Sequence, residues 1–169
     1  MSMVDVVVRF AQSGRIGPVR CGVEWSAVAE VMGPPWDTGT SVGGDGLPYL
    51  YAYGGLEIGT CHSICQEIQL VCLQTGALAV ELPALGKAPA QTLPGYPTYS
   101  QIIAALEAAD CQWEDFAPLT FDEQRTIRVT SSGVLLGFEI PDTGEPTLFI
   151  ASVSARDHAC GRTNHPAPA

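Results

Sequence analysis

Glycine and proline set the grain of this chain. Eighteen glycines and thirteen prolines are spread through 169 residues. They interrupt every apolar run, so each helix or strand must be short and the fold must be assembled from many of them. No stretch reaches the ~18 apolar residues that a membrane-spanning helix requires. The pattern is clearest around VEWSAVAEVMG, which Gly22 precedes and Gly33-Pro34-Pro35 closes. Val23, Ala27 and Val31 recur at i, i+4 and i+8, with Val28 and Met32 beside them. That spacing predicts a helix with one apolar stripe. Gly33 supplies its stop, and two prolines forbid continuation.

A second helix is predicted after Thr98 or Ser100, either of which can cap orphan N–H groups. Ile102, Ile103, Leu106 and Ala109 form its apolar face. Residues 3–12 satisfy two patterns. Val6, Val7 and Val8 favour a strand, but Met3, Val7 and Phe10 recur at near-helical spacing. We prefer a short helix ended at Ser13-Gly14.

Strand signals fill much of the remainder. Residues 34–48 read as a loop. Tyr49, Tyr51 and Tyr53 then alternate onto one face of a strand. Gly54-Gly55 turns the chain into Leu56–Ile58. Glu67–Gln74 is a third strand, with Ile68, Leu70 and Cys72 on one face. Residues 77–82 extend or cross that sheet. The proline-rich stretch 83–97 reads as a linker, and residues 110–118 as an acidic, aromatic connection. Residues 126–130 and 134–140 pair across Ser131-Ser132-Gly133, and residues 147–153 add a last strand. Residues from Asp157 onward form a loose tail.

The same order occurs twice: helix, loop, strand, glycine turn, strand, strand. Trp25-Ser26 of the first helix corresponds to Tyr99-Ser100 of the second. The expected fold class is α+β, with two related halves, each an apolar helix packed on an antiparallel sheet. The halves span 1–82 and 98–156, joined by 83–97, with a tail at 157–169. A chain of this length buries roughly two-thirds of its unfolded surface and needs no metal or disulfide staple.

The formal net charge is −10. It excludes a nucleic-acid surface, which needs Lys and Arg to neutralise phosphates. A basic protein partner suits the field better, although such a charge also serves solubility alone. The apolar run at the N-terminus follows no basic residue and is preceded by Asp5, unlike a secretory signal. The expected location is the cytoplasm, where the six cysteines stay mostly as thiols. Cys72 and Cys111 are expected to be buried as small hydrophobes.

Catalytic and metal signatures are weak. Cys61-His62-x-x-Cys65, with His158 and Cys160, carries zinc-ligand chemistry. Its first spacing is C-x-x-x-C, and a connecting loop is the preferred reading. No nucleophile elbow, H-E-x-x-H or phosphate loop appears. We expect no enzyme activity, no cofactor and no metal.

The stretch SGRIGPVRCGVEWSAVAEVMGPPWDTG, followed by YAYGGLEI and EIQLVCL, resembles a known unit. It is similar to the helix-plus-antiparallel-sheet unit of the assembly lipoprotein BamE, which occurs in tandem in beta-lactamase inhibitory proteins. It also resembles small actinobacterial immunity-like proteins. The matching positions are Gly22, Val28, Gly33, Pro35, Tyr53, Gly54, Leu56 and Glu57, within residues 13–74. The resemblance implies a toxin-neutralising partner rather than a catalyst.

Two acid–aromatic clusters are the expected contact points: Trp36-Asp37 after the first helix and Trp113-Glu114-Asp115-Phe116 after the second. Tryptophan buries a large area with few rotamers, and carboxylates add charge complementarity. The same rings can instead fold back over the ends of the core. The leading expectation is a non-catalytic module that binds a basic toxin, for example a nuclease. The alternatives are self-association through a sheet edge or the tyrosine face, and a thiol- or zinc-dependent enzyme.

Overall fold

The computed structural model describes residues 1–40, 48–61, 65–85 and 88–155. The protein is α+β: three α-helices lie on one large antiparallel sheet, with two small ribbons beside them. The helices are α1 (Met3–Ser13), α2 (Trp25–Met32) and α3 (Tyr99–Ala108). The short ribbons are β1 (Arg15–Ile16) with β2 (Val19–Arg20), and β7 (Ala79–Leu82) with β8 (Gln91–Pro94). The first half supplies β3 (Asp37–Thr40), β4 (Pro48–Tyr53), β5 (Leu56–Thr60) and β6 (Ile68–Gln74). The second supplies β9 (Trp113–Asp115), β10 (Gln124–Val129), β11 (Leu135–Glu139) and β12 (Thr147–Ser154). Their order in the sheet is β3-β4-β5-β6-β12-β11-β10-β9. Each half is therefore a meander, and the two last strands meet in the middle.

Residues 3–13 are helical, as the near-helical spacing requires. Ser2 and Asp5 form a capping box, and Gly14 ends the helix in the left-handed region at φ 65°. Hydrogen bonds from the Ser2 backbone and hydroxyl hold the Asp5 carboxyl below its ordinary range. Met3, Val6, Val7, Phe10 and Ala11 are all buried. At about 1.5–3 kcal/mol for each large side chain, that burial makes α1 a part of the core. Thr98 caps α3 through a reciprocal box with Gln101, and Ile102 and Leu106 are fully buried.

The α2 stripe is rotated from the expected one. Val28 is buried, with Trp25 and Met32 packed beside it. Ala27 and Val31 face outward instead. The reason is Trp25, whose ring stacks on Tyr51 at 3.9 Å and 13°. This turns the helix toward the i, i+3, i+7 face. Glu24 at its N-terminus makes no side-chain cap. The Tyr53 hydroxyl donates to the Gly33 carbonyl at 2.7 Å and holds the other end.

Four further expectations need correction. The loop at 34–48 contains β3, because Trp36 N–H bonds Ala52 and draws the chain alongside β4. The 83–97 linker contains β8, which pairs back on β7 and buries Leu93 with Val80 and Leu82. The 110–118 connection contains β9 and a 3₁₀ turn at Ala117–Leu119. In β6 the buried face is Ile68, Val71 and Leu73 rather than Ile68, Leu70 and Cys72. A bulge causes this: Gly59 faces Leu70 but Thr60 faces Ile68, so Gln69 is the extra residue. The expected tail from Asp157 onward lies outside the described residues.

The two meanders share one irregularity, while β4 carries another, between Leu50 and Pro48, that the second meander lacks. Gly137 faces Ile150 and Phe138 faces Leu148, so Phe149 is the extra residue in β12, as Gln69 is in β6. Both bulges lie beside a glycine that opposes an aliphatic residue. The same register aligns Trp36 with Trp113 and Asp37 with Glu114.

Candidate binding surface

Alternation along the strands assigns each side chain to one of two faces. Tyr51, Tyr53, Leu56, Ile58, Val71, Leu73, Ala151, Leu136, Phe138, Ile127 and Val129 belong to the core beneath the helices. Tyr51 and Tyr53 of the tyrosine row are therefore core, while Tyr49, at the register shift of β4, is half-buried. Val80, Leu82 and Leu93 of the β7–β8 ribbon and Ile16 and Val19 of β1–β2 join the same side.

The opposite face carries Leu50, Glu57, Leu70, Cys72 and Gln74 from the first half. Ser152, Ile150, Leu135, Glu139 and Arg128 continue it through the second. Most of these residues are half-buried by their neighbours on the sheet. Among the described residues no helix packs on this face. Burial pushes the Cys72 thiol up to about 12, with the Glu57 charge adding to the shift. That thiol is therefore neutral and unreactive at physiological pH.

One end of this face deepens into a groove of ≈ 850 Å³. Its floor is built by the β12 bulge, which puts Phe149 and Ile150 on the same side of the sheet. Thr75 and Gly76 N–H both donate to the Phe149 carbonyl, at 2.8 and 3.1 Å, and fix the bulge. Gly137 leaves room for the ring: a β-carbon there would meet Phe149 at 3.2 Å and Ile150 at 2.8 Å. The walls are Tyr96, Phe121 and Ile140, exposed by 38, 62 and 37 per cent. Tyr96 is held in the left-handed region at φ 53° by a bond from its N–H to Thr75. Three carboxylates, Glu123, Glu139 and Asp142, line the same groove. Ile140 N–H bonds the Glu123 carbonyl at 2.9 Å and keeps these segments together. None of the described lining residues is Lys, Arg or His.

The predicted contact residues occupy the two edges of the sheet. Trp36 and Asp37 are at β3, and Trp113, Glu114 and Asp115 form β9. Seven inter-strand steps separate them, about 34 Å at ~4.8 Å each. The structure does not bring them together. Trp36 is 53 per cent exposed and meets Tyr53 edge-on at 6.3 Å. Trp113 is half-buried against the core. Asp115 pairs with Arg125 at 2.9 Å, and Glu114 pairs with Arg128. The Arg125 guanidinium lies over Tyr99 and that of Arg128 over Phe116, at 4.7 and 5.5 Å. The two carboxylates of β9 are thus partly neutralised, whereas the groove carries three carboxylates and no described cation in its lining.

Sequence reasoning missed this groove. Its signal was present as Phe121-Asp122-Glu123, an acid–aromatic run of the same kind as 113–116. The pairing of β10 with β11 joins that run to Glu139, and the bulge at Phe149, invisible without strand pairing, supplies the floor between them.

Among the described residues no three His, Cys, Asp or Glu side chains gather to hold a metal. Of the thiol cluster, Cys61 and Cys65 are described, while His62, His158, His165 and Cys160 lie outside the described residues. No described helix is long and apolar enough to cross a membrane. No family model, curated protein or solved structure matches the chain.

Proposed function

We propose that this chain is a non-catalytic, cytoplasmic protein-binding module that neutralises a basic toxin by covering its positive surface. The observation that carries the reading is the sheet face on which no helix packs among the described residues, with its acidic, aromatic groove. A net charge of −10 steers a basic partner toward it and raises the encounter rate. Half-buried Leu50, Leu70, Leu135 and Ile150 supply apolar contact at its centre. The face measures about 34 Å by about 17 Å, on the order of 600 Å². With the groove walls it approaches the ~800 Å² per partner of a standard interface.

We further infer that the two halves are related by an approximate two-fold axis through the Cys72–Ser152 pair. The mirrored strand order and the paired bulges at Gln69 and Phe149 support it. A doubled helix-on-sheet unit gives one continuous docking face from two copies of a small motif. Asp37 and Glu114 then stand at the two ends of that face, while Trp36, Trp113 and Asp115 lie on the helical side of the same edges.

Self-association through the sheet edges is the weaker reading. The edge strands are only four and three residues long and carry Asp37, Glu114 and Asp115, which discourages edge pairing.

The test is rescue. An immunity gene is expected to adjoin a gene ending in a small toxin domain, and that domain is expressed with and without the chain. The reading expects restored growth and a stable complex. Absence of both would overturn it.

A further inference from the structure

We infer that the groove at the end of the open face seats an arginine side chain from an extended segment of the partner. This deepens the function proposed above and rests on it. The chain itself uses the required pairing twice, on β10. Arg125 lies over the Tyr99 ring while bonding the Asp115 carboxylate at 2.9 and 3.0 Å. Arg128 lies over Phe116 while bonding Glu114. The groove presents the same two components, aromatic faces and carboxylates, with no cation among its described lining residues. Phe121 and Tyr96 expose their rings to it, and Phe149 is held at its floor. Glu139 and Glu123 flank that floor from β11 and the start of β10, and Asp142 lies beyond Pro141.

A planar guanidinium fits this arrangement better than an ammonium. It stacks on an aromatic face and bonds a carboxylate with two parallel N–H groups at the same time. A lysine offers a compact charge and no plane to stack. The groove is also rigid where it matters. The bulge is fixed by two N–H donors, and Gly95 next to Tyr96 has no space for a side chain beneath the Ala77 carbonyl. Preorganised walls lower the ordering cost of capture.

The test titrates the whole protein with three short peptides: acetyl-Gly-Arg-Gly-amide, its lysine counterpart and its citrulline counterpart. Backbone amide NMR reads the binding. The inference expects shifts confined to residues 74–77, 95–96, 121–124, 139–142 and 149–150, arginine at least fivefold tighter than lysine, and no binding of citrulline. Glu123→Gln, Glu139→Gln and Asp142→Asn combined should weaken arginine binding at least tenfold. Phe121→Ala, at a largely exposed position, should weaken it several-fold without unfolding the chain. Equal affinity for lysine and arginine, shifts spread over the whole acidic surface, or unchanged binding in either variant would overturn it. The two proposals fail separately. If the triple variant still binds and neutralises the toxin domain as well as the parent, the groove assignment falls and the function stands. If no basic protein is bound at all, the function falls whatever the peptides show.

Discussion

The Phe149 ring lies over Gly137, close enough that a β-carbon on the glycine would be 3.2 Å from it. The same carbon would meet Ile150 at 2.8 Å. Gly137→Ala should therefore cost about 1–3 kcal/mol, the usual penalty for overpacking. The ring should also lift from the groove floor. Urea unfolding should show the lowered midpoint, and the arginine peptide should bind more weakly. A variant as stable as the parent would show that the ring does not rest there.

The Thr98 cap should be measurable by itself. Its hydroxyl accepts from Gln101 N–H, and the Gln101 side chain returns a bond to Thr98 N–H. Glu145 adds a bond from Ser100 N–H at 2.5 Å, which with the Ser100 hydroxyl holds its carboxyl low. Thr98→Ala should destabilise the protein by about 1 kcal/mol. A thermal melt will show it, and unchanged stability would mean that the first turn of α3 is held by packing alone.

Much of the fold follows from residues that speak locally. Gly33 with two prolines, Thr98 as one of two candidate caps, and Gly54-Gly55 each fix an element boundary by backbone chemistry, and all three stand within the sequence's reading. The errors come from long-range partners. Asp37–Thr40 sets Asp and Gly, both depleted in strands, against two threonines, and the pairing with β4 decides that it is extended. The helical stripe of α2 turns toward Val28 because Trp25 finds Tyr51, twenty-six positions away. Ile68 changes face because Gln69 bulges. The candidate surface was half legible. The acid–aromatic rule found the two edges but not the pairing of Glu114 and Asp115 with arginines across β10.

Alkaline pH should destabilise the protein through Cys72. Its thiol is pushed up to about 12 from an ordinary 9.0. Above pH 9 the unfolded chain releases this proton while the folded one keeps it. Stability is thus whole below pH 9 and declines as pH rises toward 12. Burial raises Tyr51 and Tyr53 in the same direction. Urea midpoints at pH 8 and pH 10.5 should differ, and Cys72→Ala should reduce that difference. An equal decline in the variant would remove Cys72 as a cause.

Association with the partner should be strongly salt-dependent, because charge steers the encounter. Neutralising Glu123, Glu139 and Asp142 should slow association more than neutralising Glu114 and Asp115, whose charges Arg128 and Arg125 already oppose. Stopped-flow rates at 50 and 300 mM salt compare the two variants. Equal losses would place the steering field over the whole surface.

The most direct measurement sets one cation against each side of the protein. Ser152 stands at the middle of the sheet face opposite the helices, paired with Cys72 and Leu135. Val31 is 56 per cent exposed on α2, on the helical side. In the rescue assay and by calorimetry against the toxin domain, Ser152→Arg should abolish protection and weaken binding at least a hundredfold, while Val31→Arg should leave both intact. Full protection by Ser152→Arg, or its loss in Val31→Arg alone, would contradict docking through the open face.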